Sequence, residues 1–370
     1  MPRSPAGLTQ GVLARVQRLC CLGIGSEMLM PDLVREMRQL VPSRFVNFRW
    51  AGPDLEITNF YSERSPPVLG LYMQEFHNRR ERDVARVFRE NLTCPEPSPV
   101  LHWWEHGLKV DRRTLLRSEL YNLIFRPVGI DEYLMLRVRE SGRIFGMLYL
   151  FRGPGDAPYT PRDRKVLELV SGFVAHAMTR AAVANDDFVE SDDRGLFVAG
   201  PDGRVLHASG RVRALLAMAL LPRLSPSAEW DPLRGPVPEI VHLCRTLTAT
   251  ANGEFGQKPP VLHRRTIWGE FVLRAYWLGP TDGAEQTGRI GITIERRVPR
   301  ALALLRRIEA LGLTGREKQL CLLLGCDPSR ADLADAMGVT ASTVVSYQRS
   351  VYAKLGVHSR AGLVTALRAG

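Results

Sequence analysis

Between Thr340 and Leu355 the spacing of side chains sets Val344, Val351 and Leu355 on one apolar stripe of a helix and Val345, Ser346 and Arg349 on the opposite side. Small and basic groups at this spacing suit a DNA major groove, where an arginine fork pairs with guanine acceptors and a small apolar group meets a thymine methyl. Arg349 is the strongest base-reading candidate. Arg316, Arg330, Thr340, Thr343, Tyr347 and Lys354 surround this face and carry the donors that contact phosphates. The chemistry is recognition of double-stranded DNA, with no bond made or broken.

Such a face needs elements that hold it. Thr314 with Glu317 three positions on is a capping box that starts a helix through Leu324. Asp327-Pro328-Ser329 ends it and caps a second, short helix with Leu333, Ala334 and Met337 on one face, stopped by Gly338. Thr340 caps the third helix and Gly356 stops it; Ser359 caps a fourth, with Leu363, Ala366 and Leu367 apolar. A short helix, a tight glycine-containing turn and a longer helix make a helix-turn-helix. Charge agrees: between Arg300 and Gly370 there are ten Lys/Arg against five Asp/Glu, within a chain of formal net charge +11.

These residues resemble the LuxR-type (GerE) helix-turn-helix family. The resemblance runs through Leu313-Thr314-x-Arg316-Glu317, Leu333-Ala334, Met337-Gly338-Val339-Thr340, Thr343-Val344 and Lys354-Leu355-Gly356-Val357-x-x-Arg360, roughly the last 60 residues. It implies that the third helix is the recognition helix and that the fourth supports a homodimer on a two-fold related site. Tyr347 stands where the family usually has His, and Asp332 where it usually has Glu.

The preceding chain alternates helical and strand patterns, with helices expected over Leu8 to Leu22 and Pro31 to Leu40 and a strand over Phe45 to Trp50. Strand signals return over Glu132 to Arg139 and Ile144 to Phe151, joined at Ser141-Gly142 as a hairpin. Thr160-Pro161-Arg162-Asp163 opens a helix expected to reach about Ala184. Gly195 to Ala199 and Arg204 to Ala208 form a second hairpin about Gly200-Pro201-Asp202-Gly203, followed by a helix from Arg211 to Leu220. Two further strands, Ile267 to Leu278 and Arg289 to Arg296, flank a loop over Gly279 to Gly288, and the Pro-rich stretch Leu221 to Pro260 gives no clear element.

Residues 10 to 183 resemble GAF-like sensory modules through Arg117-Ser118-Glu119-Leu120-Tyr121, Arg126-Pro127-x-Gly129-Ile130, Gly146-x-Leu148-x-Leu150-x-Arg152 and Tyr159-Thr160-Pro161-Arg162-Asp163. Residues 190 to 298 resemble a PAS-like domain through Gly195-Leu196-Phe197-Val198 and Asp202-Gly203-Arg204-Val205-Leu206. The reading is a multidomain protein: two α+β sensory domains, GAF-like over residues 1–184 and PAS-like over 185–298, then an all-α four-helix helix-turn-helix domain over 299–370. Both resemblances imply a sheet with one face open to a pocket, able to take an unidentified small molecule or to act as a dimerisation scaffold. Trp50, Trp103, Trp104, Tyr121 and Phe125, with Phe48, are the pocket candidates.

Other chemistries find less support. His102 and His106 flank Trp103-Trp104-Glu105 and would lie one helical turn apart, but no third ligand stands near, so neither metal nor cofactor is assigned. Six cysteines without a CxxC pair suit reduced thiols. GxSxG, GxxxxGK[ST], HExxH and GxGxxG motifs are missing, which argues against an enzyme. No apolar run approaches the roughly 18 residues of a membrane span, and the N-terminus lacks a secretory pattern, so a cytoplasmic protein is expected. The arginine bias, with only five lysines, suits a GC-rich bacterial coding sequence. The alternatives are a signal-binding or protein-interaction module whose helix-turn-helix is occluded, and an acyl-homoserine-lactone quorum receptor.

Overall fold

A computed structural model of the chain describes residues 5–64, 68–179, 187–224, 231, 233–253, 258–278, 288–327 and 329–368. The chain forms two compact units, one of Met1–Ala182 with Asp192–Arg296 and one of Val183–Ser191 with Arg297–Gly370.

The first unit holds two antiparallel sheets. Strands β1 (Phe45–Ala51), β2 (Ile57–Ser62), β3 (Val100–His102), β4 (Glu132–Glu140) and β5 (Arg143–Arg152) lie in the order β2-β1-β5-β4-β3. Helices α1 (Pro5–Cys20), α2 (Ser26–Leu40) and α3 (Pro161–Met178) pack on one face, and short helical turns between residues 69 and 128 cover the other. Pro31 was expected to open α2 but lies inside it: the helix starts a turn earlier, at Ser26, and Pro31 removes one intrahelical bond. The β4–β5 hairpin turns on Ser141 (φ 49°) and Gly142 (φ 80°), both left-handed as a tight hairpin requires. Thr160 caps α3 by accepting from the Asp163 N–H, and α3 ends at Met178, so the expected run to Ala184 lies outside the described residues.

The second sheet repeats the order with β7 (Arg194–Ala199), β8 (Val205–Ala208), β9 (Val261–Thr266), β10 (Gly269–Trp277) and β11 (Ile290–Pro299), arranged β8-β7-β11-β10-β9. Helices α4 (Val212–Leu220) and α5 (Pro238–Ala251) pack on it; α5 lies in the stretch where sequence gave no element. The expected strand Ile267 to Leu278 is present as β10 but starts two residues later, because Ile267-Trp268 form the turn of a β9–β10 hairpin. Trp268 is fully buried and meets Trp50 edge-on, ring centroids 5.8 Å apart, so this turn has the apolar content of a strand. Most of the loop Gly279 to Gly288 lies outside the described residues.

Arg296, on β11, is fully buried. Its Nη1 pairs with Asp193 Oδ2 at 3.0 Å, Nε donates to the Trp268 carbonyl at 2.8 Å, and Nη2 donates to the Met28 carbonyl of α2 at 2.7 Å. One guanidinium thus ties the second sheet to a helix of the first.

In the second unit, β6 (Phe188–Val189) pairs with the end of β11 at Val298 and Pro299. Five helices follow: α6 (Arg300–Ala310), α7 (Gly315–Cys326), α8 (Leu333–Met337), α9 (Ala341–Leu355) and α10 (Arg360–Arg368). Their core comprises Leu304, Ile308, Leu320, Leu324, Leu333, Met337, Val344, Val351, Leu363 and Leu367. Pro328, in the break between α7 and α8, lies outside the described residues.

Gly146 of β5 has φ 151°, and a Cβ there would overlap the Arg49 carbonyl oxygen of the neighbouring strand. Gly146→Ala is expected to destabilise the protein by roughly 2 kcal/mol or more, read as a drop of several degrees in the melting temperature of the full chain.

Candidate functional site

The helix-turn-helix is built by α8, a turn at Gly338 (φ 61°) and α9. Thr340 caps α9 by accepting from the Thr343 N–H at 3.3 Å, and Gly356 (φ 64°) stops it. Along α9, Val344 and Val351 are buried, whereas Ser342, Val345, Ser346, Arg349 and Ala353 are exposed at helical spacing. The structure therefore brings Val345, Ser346 and Arg349 onto one outward face. The Ser346 hydroxyl donates to the Ser342 carbonyl at 3.1 Å. Arg349 makes no hydrogen bond or ion pair among the described residues, so its five donors are free for an external acceptor.

The surrounding positions divide. Thr340 and Thr343 share a hydroxyl contact of 2.8 Å at the start of α9. Arg330 is half-buried and pairs with Asp332 at 2.8 Å. Arg316 donates to the Met337 carbonyl at 3.0 Å and so holds the end of α8. Tyr347 is half-buried against the domain core.

Lys354 reaches Glu317 at 2.9 and 2.7 Å, and the Ser350 hydroxyl donates to the same carboxylate at 2.6 Å. Glu317 also accepts from the Thr314 N–H at 2.6 Å, so the capping residue of α7 clamps two successive turns of α9. Glu317 as a residue is 3% exposed. Burial opposes the charge, but Lys354, Ser350 and Thr314 outweigh it and hold the pKa down at about 2. The capping box is legible in sequence; the grip on α9 is not, because Ser350 and Lys354 stand 33 and 37 residues away.

The first sheet carries a separate cavity of about 70 Å³ beneath the face opposite its helices. Trp103 and Phe125 line it; Trp50, Trp104 and Tyr121 do not. Alternation along β1 explains Trp50: Phe45, Asn47 and Arg49 face the cavity, while Phe48 and Trp50 face α2, where the Trp50 indole donates to Ser26 at 3.3 Å. Trp104 lies under the Arg112 guanidinium, 4.5 Å from its ring, and Tyr121 packs on the same core without reaching the cavity. Arg49 and Asn47 were missed because polar residues in a strand read as its solvent face. His102 pairs with Glu132 at 2.9 Å, and His106 accepts from the His102 N–H at 3.0 Å. Cys321 is buried and its thiol is pushed up to about 12 by burial, whereas Cys326 is exposed.

A helix-turn-helix with an outward face of this composition has the form of a DNA-reading element. Residues 311–367 match the family of bacterial regulatory proteins described as the luxR family, a family of DNA-binding transcription regulators. No curated protein matches the chain. Among solved structures, similarity extends to the GAF domain/HD domain protein from Geobacter sulfurreducens (TM-score 0.28, 15% identity, 42% of this chain and 91% of that one). It extends also to the bacteriophytochrome RpBphP3 from R. palustris (TM-score 0.29, 11% identity, 48% of this chain and 39% of that one). A third is the LuxR-type receptor VqmA of Vibrio cholerae (TM-score 0.16, 15% identity, 49% of this chain and 84% of that one). Likeness at this level carries no argument about function. No helix among the described residues is long and apolar enough to cross a membrane.

The depressed pKa of Glu317 has a defined consequence for stability. Its contribution is fully present above the unfolded carboxylate value of about 4.3 and is lost as pH falls from there towards 2. Glu317→Gln is expected to destabilise the helix-turn-helix domain by roughly 1–3 kcal/mol at pH 7, with the difference from wild type shrinking over that acid window in denaturant titrations.

Proposed function

We propose that this protein is a sequence-specific, DNA-binding bacterial transcription regulator of the cytoplasm, not an enzyme, in which two N-terminal sensory domains govern a C-terminal LuxR-type helix-turn-helix acting as a homodimer. The observation that carries it is the outward face of α9, with Arg349 free of internal partners among the described residues, on a domain that matches the luxR family. Val345, Ser346 and Arg349 read base edges. Arg316, Arg330, Thr340, Thr343, Tyr347 and Lys354 form the phosphate set, in which Arg316, Arg330 and Lys354 share their donors with Met337, Asp332 and Glu317.

The sensory reading assigns residues 1–184 as GAF-like, 185–298 as PAS-like and 299–370 as DNA-binding. It is supported by the equivalent strand order of the two sheets and by the cavity beneath the first. Leu363 and Leu367 of α10 are buried in their own domain, so dimer contacts through that helix fall to its remaining residues.

Selection of genomic fragments bound by the purified full-length protein at two salt concentrations is expected to yield a two-fold symmetric motif, with affinity falling as salt rises. Arg349→Ala is expected to cost about 1–3 kcal/mol on that motif and to relax one base position in each half-site. Equal losses on specific and random DNA would place Arg349 on the phosphates instead.

A further inference from the structure

The cavity of the first sheet is more specific than a void in a core. Its volume of about 70 Å³ holds on the order of five waters. Its walls are aromatic: Trp103 stacks on Tyr133 and Phe45 on Phe151, each pair with centroids 4.5 Å apart. Arg49 enters from β1, with its guanidinium 4.3 Å from the Tyr149 ring centroid and 5.7 Å from that of Tyr72. No carboxylate lies within ion-pairing distance of it among the described residues. The nearby Glu81 is occupied, one oxygen accepting from the Tyr72 hydroxyl at 2.8 Å and the other from the Asn78 N–H at 2.9 Å. Burial opposes the charge of Arg49, but Tyr149, Tyr72 and Glu81 more than offset it, so the group stays cationic.

Four buried polar atoms on residues of this lining lack a hydrogen-bond partner among the described residues: Arg49 Nε, Trp103 Nε1, Asn47 Oδ1 and Asn91 Oδ1. Asn47, Asn91 and Trp103 are 5%, 3% and 1% exposed. The Asn91 amide nitrogen donates to the Arg86 carbonyl at 3.0 Å, which leaves its oxygen as the free atom. An unmade buried hydrogen bond costs about 1–3 kcal/mol, so four on the residues around one cavity mark a lining that the fold leaves unsaturated. Arg49 and Asn47 stand two residues apart on one strand face, roughly 7 Å, the scale of a single substituted ring.

We propose that this cavity binds a small aromatic carboxylate, its anionic group on the Arg49 guanidinium and its ring among the aromatic walls. The assignment rests on the sensory reading of the N-terminal unit and gives that site its ligand class.

The test is calorimetric titration of the full-length protein with benzoate, 4-hydroxybenzoate and 4-hydroxyphenylacetate, against 4-hydroxybenzamide, indole and inorganic phosphate. At least one carboxylate is expected to bind roughly tenfold or more tightly than 4-hydroxybenzamide, and phosphate to give no heat. Arg49→Gln is expected to bring the carboxylate-to-amide ratio close to one. Should that variant melt before titration, Arg49→Lys serves in its place: it keeps the cation and loses the fork, and the ratio falls without reaching one. Absence of binding by all three carboxylates, equal affinity for acid and amide, tighter binding of indole or phosphate, or an unchanged ratio in the Arg49 variants each overturns the proposal. Binding is read without DNA, so these outcomes stand apart from failure of the regulator reading, which a missing DNA motif would signal.

Discussion

The recognition surface depends on one buried carboxylate. Glu317 closes the first turn of α7 by accepting from the Thr314 N–H, and its remaining capacity is filled by Ser350 and Lys354 of α9. A carboxylate with so little exposure is tolerated only when paired and hydrogen-bonded, and here every partner is also a geometric restraint. The start of one helix and the last turns of another are fixed to the same two oxygens. Arg316, the preceding residue, fixes the end of α8 through the Met337 carbonyl, so both helices of the helix-turn-helix are referenced to the first turn of α7. Rotation of α9 about its axis would move Arg349 and break the Lys354 and Ser350 contacts together. Base readout needs that rigidity, because a bidentate contact tolerates little angular error.

Elements whose local chemistry agrees with their tertiary role were legible from sequence. The capping boxes at Thr314 and Thr160, the left-handed stops at Gly338 and Gly356, and the turn at Ser141-Gly142 are decided within a few residues. Where long-range packing decides, local reading fails for a physical reason. Ile267-Trp268 reads as strand because it is apolar, yet it is apolar in order to bury a turn against Trp50. Pro31 reads as a helix start, yet α2 begins a turn earlier and accepts the lost bond.

The site residues follow the same division. Val345, Ser346 and Arg349 could be placed because a helix face is a matter of spacing. Lys354 lies near the same surface, but its engagement with Glu317 is a matter of which residue sits 37 positions away. In β1, the search for aromatic residues selected Trp50, whereas strand alternation gives the cavity Arg49 and Asn47 and sends Trp50 towards α2. A polar pair on the inner face of a strand leaves no mark in composition. It is visible only once the covering helical turns show that this face is enclosed.

Two arginines of the first unit show why that enclosure matters. Arg296 is fully buried, and each of its three nitrogens reaches an oxygen of the protein, so its charge is spent on joining the two sheets. Arg49 is enclosed by rings that favour its charge, and Tyr72 and Glu81 add to that, yet its Nε meets no acceptor among the described residues. A group used for architecture is saturated by the fold, since an unsatisfied buried donor costs stability with nothing in return. A donor left open among aromatic side chains retains that cost. The same side chain is therefore a fastener at position 296, whereas at position 49 its Nε is left without an acceptor among the described residues, and the difference lies in the number of oxygens the fold supplies.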